Sequence, residues 1–211
     1  MKNFIWIGAV VIILISLMFW GVSGGNTIKP PFEVGVVHPL DHVSGNASSS
    51  VVVIEYSDFQ CPACRTYYPI TKQLIAEFGN EIAFVYRHFP LVQIHPNAQL
   101  AAQAAEAAAK QGKFWQMHDL LFEKQNEWAN VASPKSLFES YAILTGISVE
   151  QFKTDITSQE VINFVRAERT NAIKLRLQGT PTFFVNGKQI QNPASVDAFR
   201  VIIKDAINAK S

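Results

Sequence analysis

Cysteine is scarce in this chain: of 211 residues only Cys61 and Cys64 are cysteine. A framework of several disulfides joining distant segments is therefore excluded. Charge of one sign is lacking too. Eighteen Lys and Arg stand against 17 Asp and Glu, a formal net charge of +1, so no strongly basic surface argues for nucleic acid. No glycine-rich phosphate loop follows a strand, since Gly8 and the Gly24-Gly25 pair lack that setting. Repeats and low-complexity tracts are absent.

Long apolar runs are present only at the start. Phe4 to Val22 reads FIWIGAVVIILISLMFWGV, uncharged, with Trp6 and Trp20 near its ends. At 1.5 Å per residue such a helix covers about 30 Å, the thickness of a bilayer core, and indole rings favour its interfaces. The competing expectation is a cleaved signal peptide. Its apolar region usually runs about 7–15 residues, and small residues do follow at Val22-Ser23-Gly24-Gly25. Residues 1–22 are thus expected to be a transmembrane anchor or signal and 23–35 a linker. Lys2 before the span and Lys29 well after it place the bulk of the chain outside the cytoplasm. The remainder, roughly 185 residues, suffices for one large domain.

Val34–Val37 predicts a short first strand, and Ser44–Ser50 a turn-rich connector in which Asn46-Ala47-Ser48 matches a glycosylation acceptor. The β-branched run Val51–Ile54 predicts a buried strand, Pro62–Phe78 a helix and Ile82–Tyr86 a second strand, together a βαβ unit. Helical patterns follow over 97–110 and 114–125, after Ser133-Pro134, after Ser148, and over 158–178, where Gly179 closes the last. Thr182–Val185 predicts a strand turned back by Asn186-Gly187, and 194–209 an amphipathic helix.

Three readings compete for the thiol pair in EYSDFQCPACRTYYP. A structural disulfide would close so short a loop that it adds little stability. A structural zinc site wants four ligands, and neither His88, His95 nor His118 shows ligand spacing; haem attachment needs His after Cys64, where Arg65 stands. A redox dithiol fits the placement best. Cys61 ends a strand and Pro62 opens a helix, so the Cys61 sulfur faces the free N–H groups of Ala63 and Cys64 and the positive end of the helix dipole, while Cys64 is shielded. An exposed, acidic thiol beside a covered one suits two-step exchange. Glu55, on the strand six residues earlier, is a candidate proton relay to Cys64; the bland alternative is a solvated edge carboxylate. Thr180-Pro181 precedes a strand, and by itself an X-Pro bond is cis only about one time in twenty.

These residues resemble the thioredoxin superfamily, and within it the DsbA-like thiol:disulfide oxidoreductases, above all the anchored bacterial ones. The resemblance rests on Cys61-Pro62-Ala63-Cys64 after a buried strand, Glu55 at the family's buried acid, Pro69 inside the first helix and Gly179-Thr180-Pro181-Thr182 before a strand, with RHFPL and QGKFWQMHDLLF between. It implies an α/β thioredoxin fold, a mixed sheet flanked by helices, in two parts: residues 36–95 carrying the thiols and 179–211 carrying the Thr-Pro loop. Residues 96–178 would form a helical insertion. It implies a cis Pro181 against the sulfurs, with Cys61, Cys64, Glu55 and Pro181 catalytic, and Thr180, Pro62 and Ala63 meeting substrate by strand addition. No cofactor beyond the redox-active disulfide, and no metal, is expected. The expected partners are unfolded translocated polypeptides and a quinone-linked, DsbB-like membrane reoxidase; the default state is a monomer. One departure stands out. Strongly oxidising members carry His where this chain has Ala63, but Pro62 matches them. An oxidase introducing disulfides into translocated proteins is therefore expected, with a reductase or isomerase of the same fold as the alternative and a non-enzymatic metal-binding module using the thiol pair as the third reading.

Among other residues, His88 reads as a loop histidine, the alternative being the active-site rim, His118 as core or groove, Arg65 as solvated rather than assisting the Cys61 thiolate, and Trp115 and Trp128 as core. An exposed apolar patch containing Phe59 would suit unfolded substrates.

Overall fold

The computed structural model describes residues 32–210. The apolar N-terminal segment and residues 23–31 of the linker lie outside the described residues. Among those described, no helix is long and apolar enough to cross a membrane.

Five strands form one sheet: β1 His42–Gly45, β2 Val52–Ser57, β3 Ala83–His88, β4 Thr182–Val185 and β5 Lys188–Gln189, in the order β1-β3-β2-β4-β5. The β-branched run makes β2 the central strand, and every residue of it is buried. It pairs parallel with β3 (Val52 opposite Ala83) and antiparallel with β4 (Glu55 opposite Phe183). Asn186 and Gly187, at φ 48° and 82°, make the tight turn from β4 to β5.

Helix α1 (Pro62–Phe78) links β2 to β3, with Pro69 inside it. Between β3 and β4 come α2 Ala98–Ala109, α3 Phe114–Glu123, α4 Gln125–Trp128, α5 Lys135–Thr145, α6 Val149–Asp155 and α7 Gln159–Lys174; α8 Val196–Asn208 ends the fold. Ser148, Ser158 and Ser195 cap α6, α7 and α8 by accepting the third-turn-position N–H of Gln151, Val161 and Ala198. Alternation along β2 builds two layers. Val53 packs with Leu74, Phe78, Phe183, Phe199 and Ile203, the faces of α1 and α8. Ile54 and Tyr56 pack on the other face with Val85, Phe184, Ala172 and Leu177. The helices between β3 and β4 close a third cluster around Met117, Leu121, Trp128, Phe138 and Phe152, which reaches the thiol pair.

Three expectations are corrected. Val34–Val37 is a turn, not a strand. Arg87, buried on β3, takes the carbonyls of Glu33 and Val36 at 3.1 and 3.3 Å, and Gly35 adopts φ 97°, so the segment wraps a guanidinium instead of pairing with the sheet. The first strand is β1. Helix α7 stops at Lys174, short of Gly179, because Arg176 turns left-handed at φ 58°. Its N–H bonds Ile173 O at 2.9 Å and that of Leu177 bonds Ala172 O at 3.1 Å, a Schellman closure built without glycine. Finally, His88 is not in a loop; it ends β3 at 1 % exposure.

Candidate active site

β2 and β4 run antiparallel with Tyr56 opposite Thr182. The end of β2 therefore lies beside the start of β4, which brings the turn after β2 against Thr180-Pro181. The Thr180–Pro181 peptide is cis. Cys61 is the N-cap of α1 in extended conformation (φ −67°, ψ 123°), with Pro62 at the first helical position, where no N–H is needed. Its own N–H bonds Asp58 O at 3.0 Å, closing the turn. The thiol donates to Thr180 O across 3.4 Å. Ionised, that sulfur must accept instead, and the Thr180 hydroxyl, buried with no other partner, is placed to donate to it.

Both cysteines are free thiols, and their acidities diverge. The Cys64 side chain hydrogen-bonds the Cys61 sulfur; against the cost of burial, Thr180 and the N–H groups of Cys64 and Ala63 add to it, and the Cys61 pKa falls to about 5. Cys64 is fully covered. Burial first, then its hydrogen bond to Cys61 and the charges of Cys61 and Glu55, push its thiol well above the ordinary range. Cys61 itself is only 6 % exposed, less than an attacking thiol was expected to be, because the Thr180 loop leans on it.

Glu55 is buried at 3 % exposure on the central strand, so the solvated alternative fails. Desolvation raises its pKa to about 7, opposed by the Ser57 hydrogen bond and helped by the Cys61 charge. Ser57 Oγ donates to Glu55 Oε1 at 2.7 Å and also interacts with Cys64, so a hydroxyl stands between acid and thiol. Pro62 and Ala63 are exposed beside the pair. Arg65 reaches out to Asn126 Oδ1. Phe59 is 1 % exposed, stacked on Tyr86 with ring centroids 5.0 Å apart, so it forms no surface patch. The exposed apolar side chains near the thiols are Ile94 and Val131, at 69 % and 39 %. They line a groove of about 850 Å³ that also takes in Gln60, Pro62, His95 and Gln125.

Sequence reasoning missed four participants. Ser57 is one. Gln125 Nε2 donates to Phe59 O and Cys61 O at 2.7 and 3.0 Å, fixing the turn from the helical side. Asp58 Oδ1 accepts the Gln60 N–H at 2.7 Å, and its Oδ2 faces His95 Nδ1 at 2.7 Å. The available signal was the DFQC run itself, an Asp three residues before a thiol; His95 lies too far along the chain for spacing to reveal it.

Comparison with known proteins agrees with this geometry. The family model described as Thioredoxin matches residues 38–205. BdbD from Bacillus subtilis, in its oxidised crystal structure, superposes with TM-score 0.70 at 27 % identity, covering 80 % of this chain and 93 % of that one. Wolbachia pipientis alpha-DsbA1 gives TM-score 0.73 at 18 % identity, over 82 % and 94 %. In sequence, a Na(+)/H(+) antiporter NhaA 3 of Salinispora tropica is 37 % identical over 79 % of this chain. The chain spans only about a quarter of the length of the curated relatives it matches, 24 % in that case. Fold, thiol pair and family match converge: the chain belongs to the thioredoxin family, and it shares its fold with alpha-DsbA1 and BdbD.

Proposed function

We propose that this protein is a DsbA-like thiol:disulfide oxidoreductase that runs as an oxidase, introducing disulfides into translocated polypeptides outside the cytoplasm, with its N-terminal segment as membrane anchor. One observation carries the direction. The Cys61 sulfur is hydrogen-bonded by Cys64, Thr180 and two backbone N–H groups, which stabilises the reduced thiolate. A pair whose reduced form is stabilised is the stronger oxidant.

In the forward step a client thiolate attacks Cys61 of the Cys61–Cys64 disulfide. The S–S bond breaks, its electron pair goes to Cys64, and Glu55 supplies a proton through Ser57. A second client thiolate then attacks the mixed disulfide and releases Cys61 as a stable thiolate. Thr180 pairs with the extended client backbone, Pro181 closes over the sulfurs, and Pro62, Ala63, Ile94 and Val131 receive client side chains. A quinone-linked, DsbB-like membrane protein would restore the disulfide by taking up the two electrons.

Ala63 favours a second reading. A methyl group stands where a histidine would further stabilise the thiolate, which suits a reductase or isomerase, for instance one supplying reductant to cytochrome c maturation. Equilibration with glutathione separates the two. A reduction potential nearer roughly −120 mV than −270 mV, with the pair oxidised in cells on alkylation, is expected; a thioredoxin-like value with a reduced pair overturns the oxidase reading.

A further inference from the structure

We propose that His42, His88 and Glu106 form a binding site for one divalent transition-metal ion, with zinc the best match, separate from the thiol pair. The three side chains come from three elements. His42 on β1 lies opposite Tyr86 in the β1–β3 ladder, and His88 is two residues further along β3, so both histidines project from one face of the sheet. Glu106 reaches them from α2. His42 Nε2 and His88 Nε2 stand 2.6 and 2.7 Å from the same Glu106 Oε1. All three ligand atoms fall within 4.8 Å of one another.

The rings are held in place before any ion arrives. His42 stacks on Phe114 with centroids 3.6 Å apart and planes 7° from parallel. His88 stands edge-on to Tyr86 and Phe114, at 5.4 and 6.0 Å. Such locking by packing is what a metal site needs from its surroundings. The His88 side chain is 1 % exposed, that of Glu106 10 % and that of His42 17 %, so His42 marks the route of entry.

A second observation comes from α7. Glu168 is fully buried, its Oε2 accepts the His88 N–H at 2.6 Å, and its Oε1 has no partner. The free oxygen is a buried acceptor without a donor, and the neighbouring cation on β3, Arg87, is engaged by Asp41. A dication bound beside it would bring positive charge to this corner.

The donor set selects the ion. Two imidazoles and one carboxylate match zinc and its neighbours, whereas calcium and magnesium ask for oxygen alone. On binding, each imidazole gives up its contact with Glu106 Oε1 and turns its Nε2 lone pair to the ion, any proton on Nε2 passing to Nδ1 or to water, and no electron moves. The ion would tie β1, β3 and α2 together.

The test uses the full chain in its oxidised form, where the closed disulfide cannot ligate, titrated with Zn(II) by calorimetry and with Co(II) by absorption. One ion per chain is expected, with visible Co(II) bands and no sulfur-to-metal charge transfer. His42→Ala and Glu106→Gln should each weaken Zn(II) binding at least tenfold, while the Cys61→Ser/Cys64→Ser double variant leaves it unchanged. His42 is partly exposed, so its variant keeps the test open should Glu106→Gln fold poorly. No binding by the oxidised wild type, equal affinity in His42→Ala, or loss of binding in the double variant would overturn the site.

Discussion

His95 Nδ1 lies 2.7 Å from Asp58 Oδ2, and the same oxygen accepts the Leu91 N–H at 2.9 Å. That hydrogen bond, against some burial and with the Cys61 charge adding to it, raises the His95 pKa. A histidine whose pKa is raised beside the groove offers positive charge where Ala63 has none. His95→Gln keeps a polar side chain and removes the charge. It should raise the Cys61 pKa by about one unit, the low end for a neighbouring opposite charge, and make the pair less oxidising. Thiolate absorbance followed against pH reads this directly; an unmoved titration would remove His95 from the site.

Glu55 sets a stability slope of its own. Its pKa rises from 4.5 to about 7 on folding. A raised carboxyl contributes stability that is fully present below pH 4.5 and is lost as pH climbs through 7. The loss amounts to roughly 3 kcal/mol, from about 2.5 units at about 1.36 kcal/mol each. Glu55→Gln should abolish this slope in urea unfolding of the oxidised protein and slow exchange while leaving the fold intact. Unchanged exchange would discard the relay through Ser57.

The thiol contributes the opposite slope, and only when reduced. With the folded Cys61 pKa depressed from 9.0 to about 5, its stabilisation is complete above pH 9, fades below it and is gone once pH falls through 5. The stability of the reduced protein relative to the oxidised one should therefore grow from pH 5 to 9. Paired denaturation curves of the two forms across that range check it; a constant difference would contradict the stabilised thiolate.

Gly35 meets the β4–β5 turn closely. It sits at φ 97°, and a Cβ there would fall 2.7 Å from both Cα and N of Gly187. Gly35→Ala should destabilise the fold by roughly 1–3 kcal/mol, the cost of a non-glycine residue in such a conformation, with the clash adding to it. The thiol titration should stay where it was. Thermal unfolding alongside the Cys61 titration distinguishes a scaffold effect from one on the chemistry.

The sequence carried the elements with strong local signals. The β-branched run before the thiols, the serine cap at Ser148 and the Asn186-Gly187 turn each act over a few residues, and each is where it was expected. What escaped depends on distant partners. Val34–Val37 has the composition of a strand, but Arg87, some fifty residues on, claims its carbonyls. Arg176 takes a left-handed turn that nothing in its chemistry announces. At the site, the cysteines and Glu55 were legible because spacing along one strand and its turn places them, whereas Thr180-Pro181 was placed against the sulfurs only by the family resemblance. Asp58–His95, Gln125 and the pairing of Glu106 with two histidines were not, since tertiary contacts alone unite them.

Cys61 and Thr180 are separated by 119 positions yet meet through two strands that share a ladder. The helices between them hold the turn that carries the sulfur through Gln125, which donates to the carbonyls of Phe59 and Cys61. Chemistry and client choice are thereby modular. Recombination that exchanges the helices after β3 for those of a relative, keeping that one glutamine, would redraw the walls of the groove while the register of β2 on β4 goes on fixing the reactive centre. A lineage could in this way acquire new clients without evolving a new catalyst.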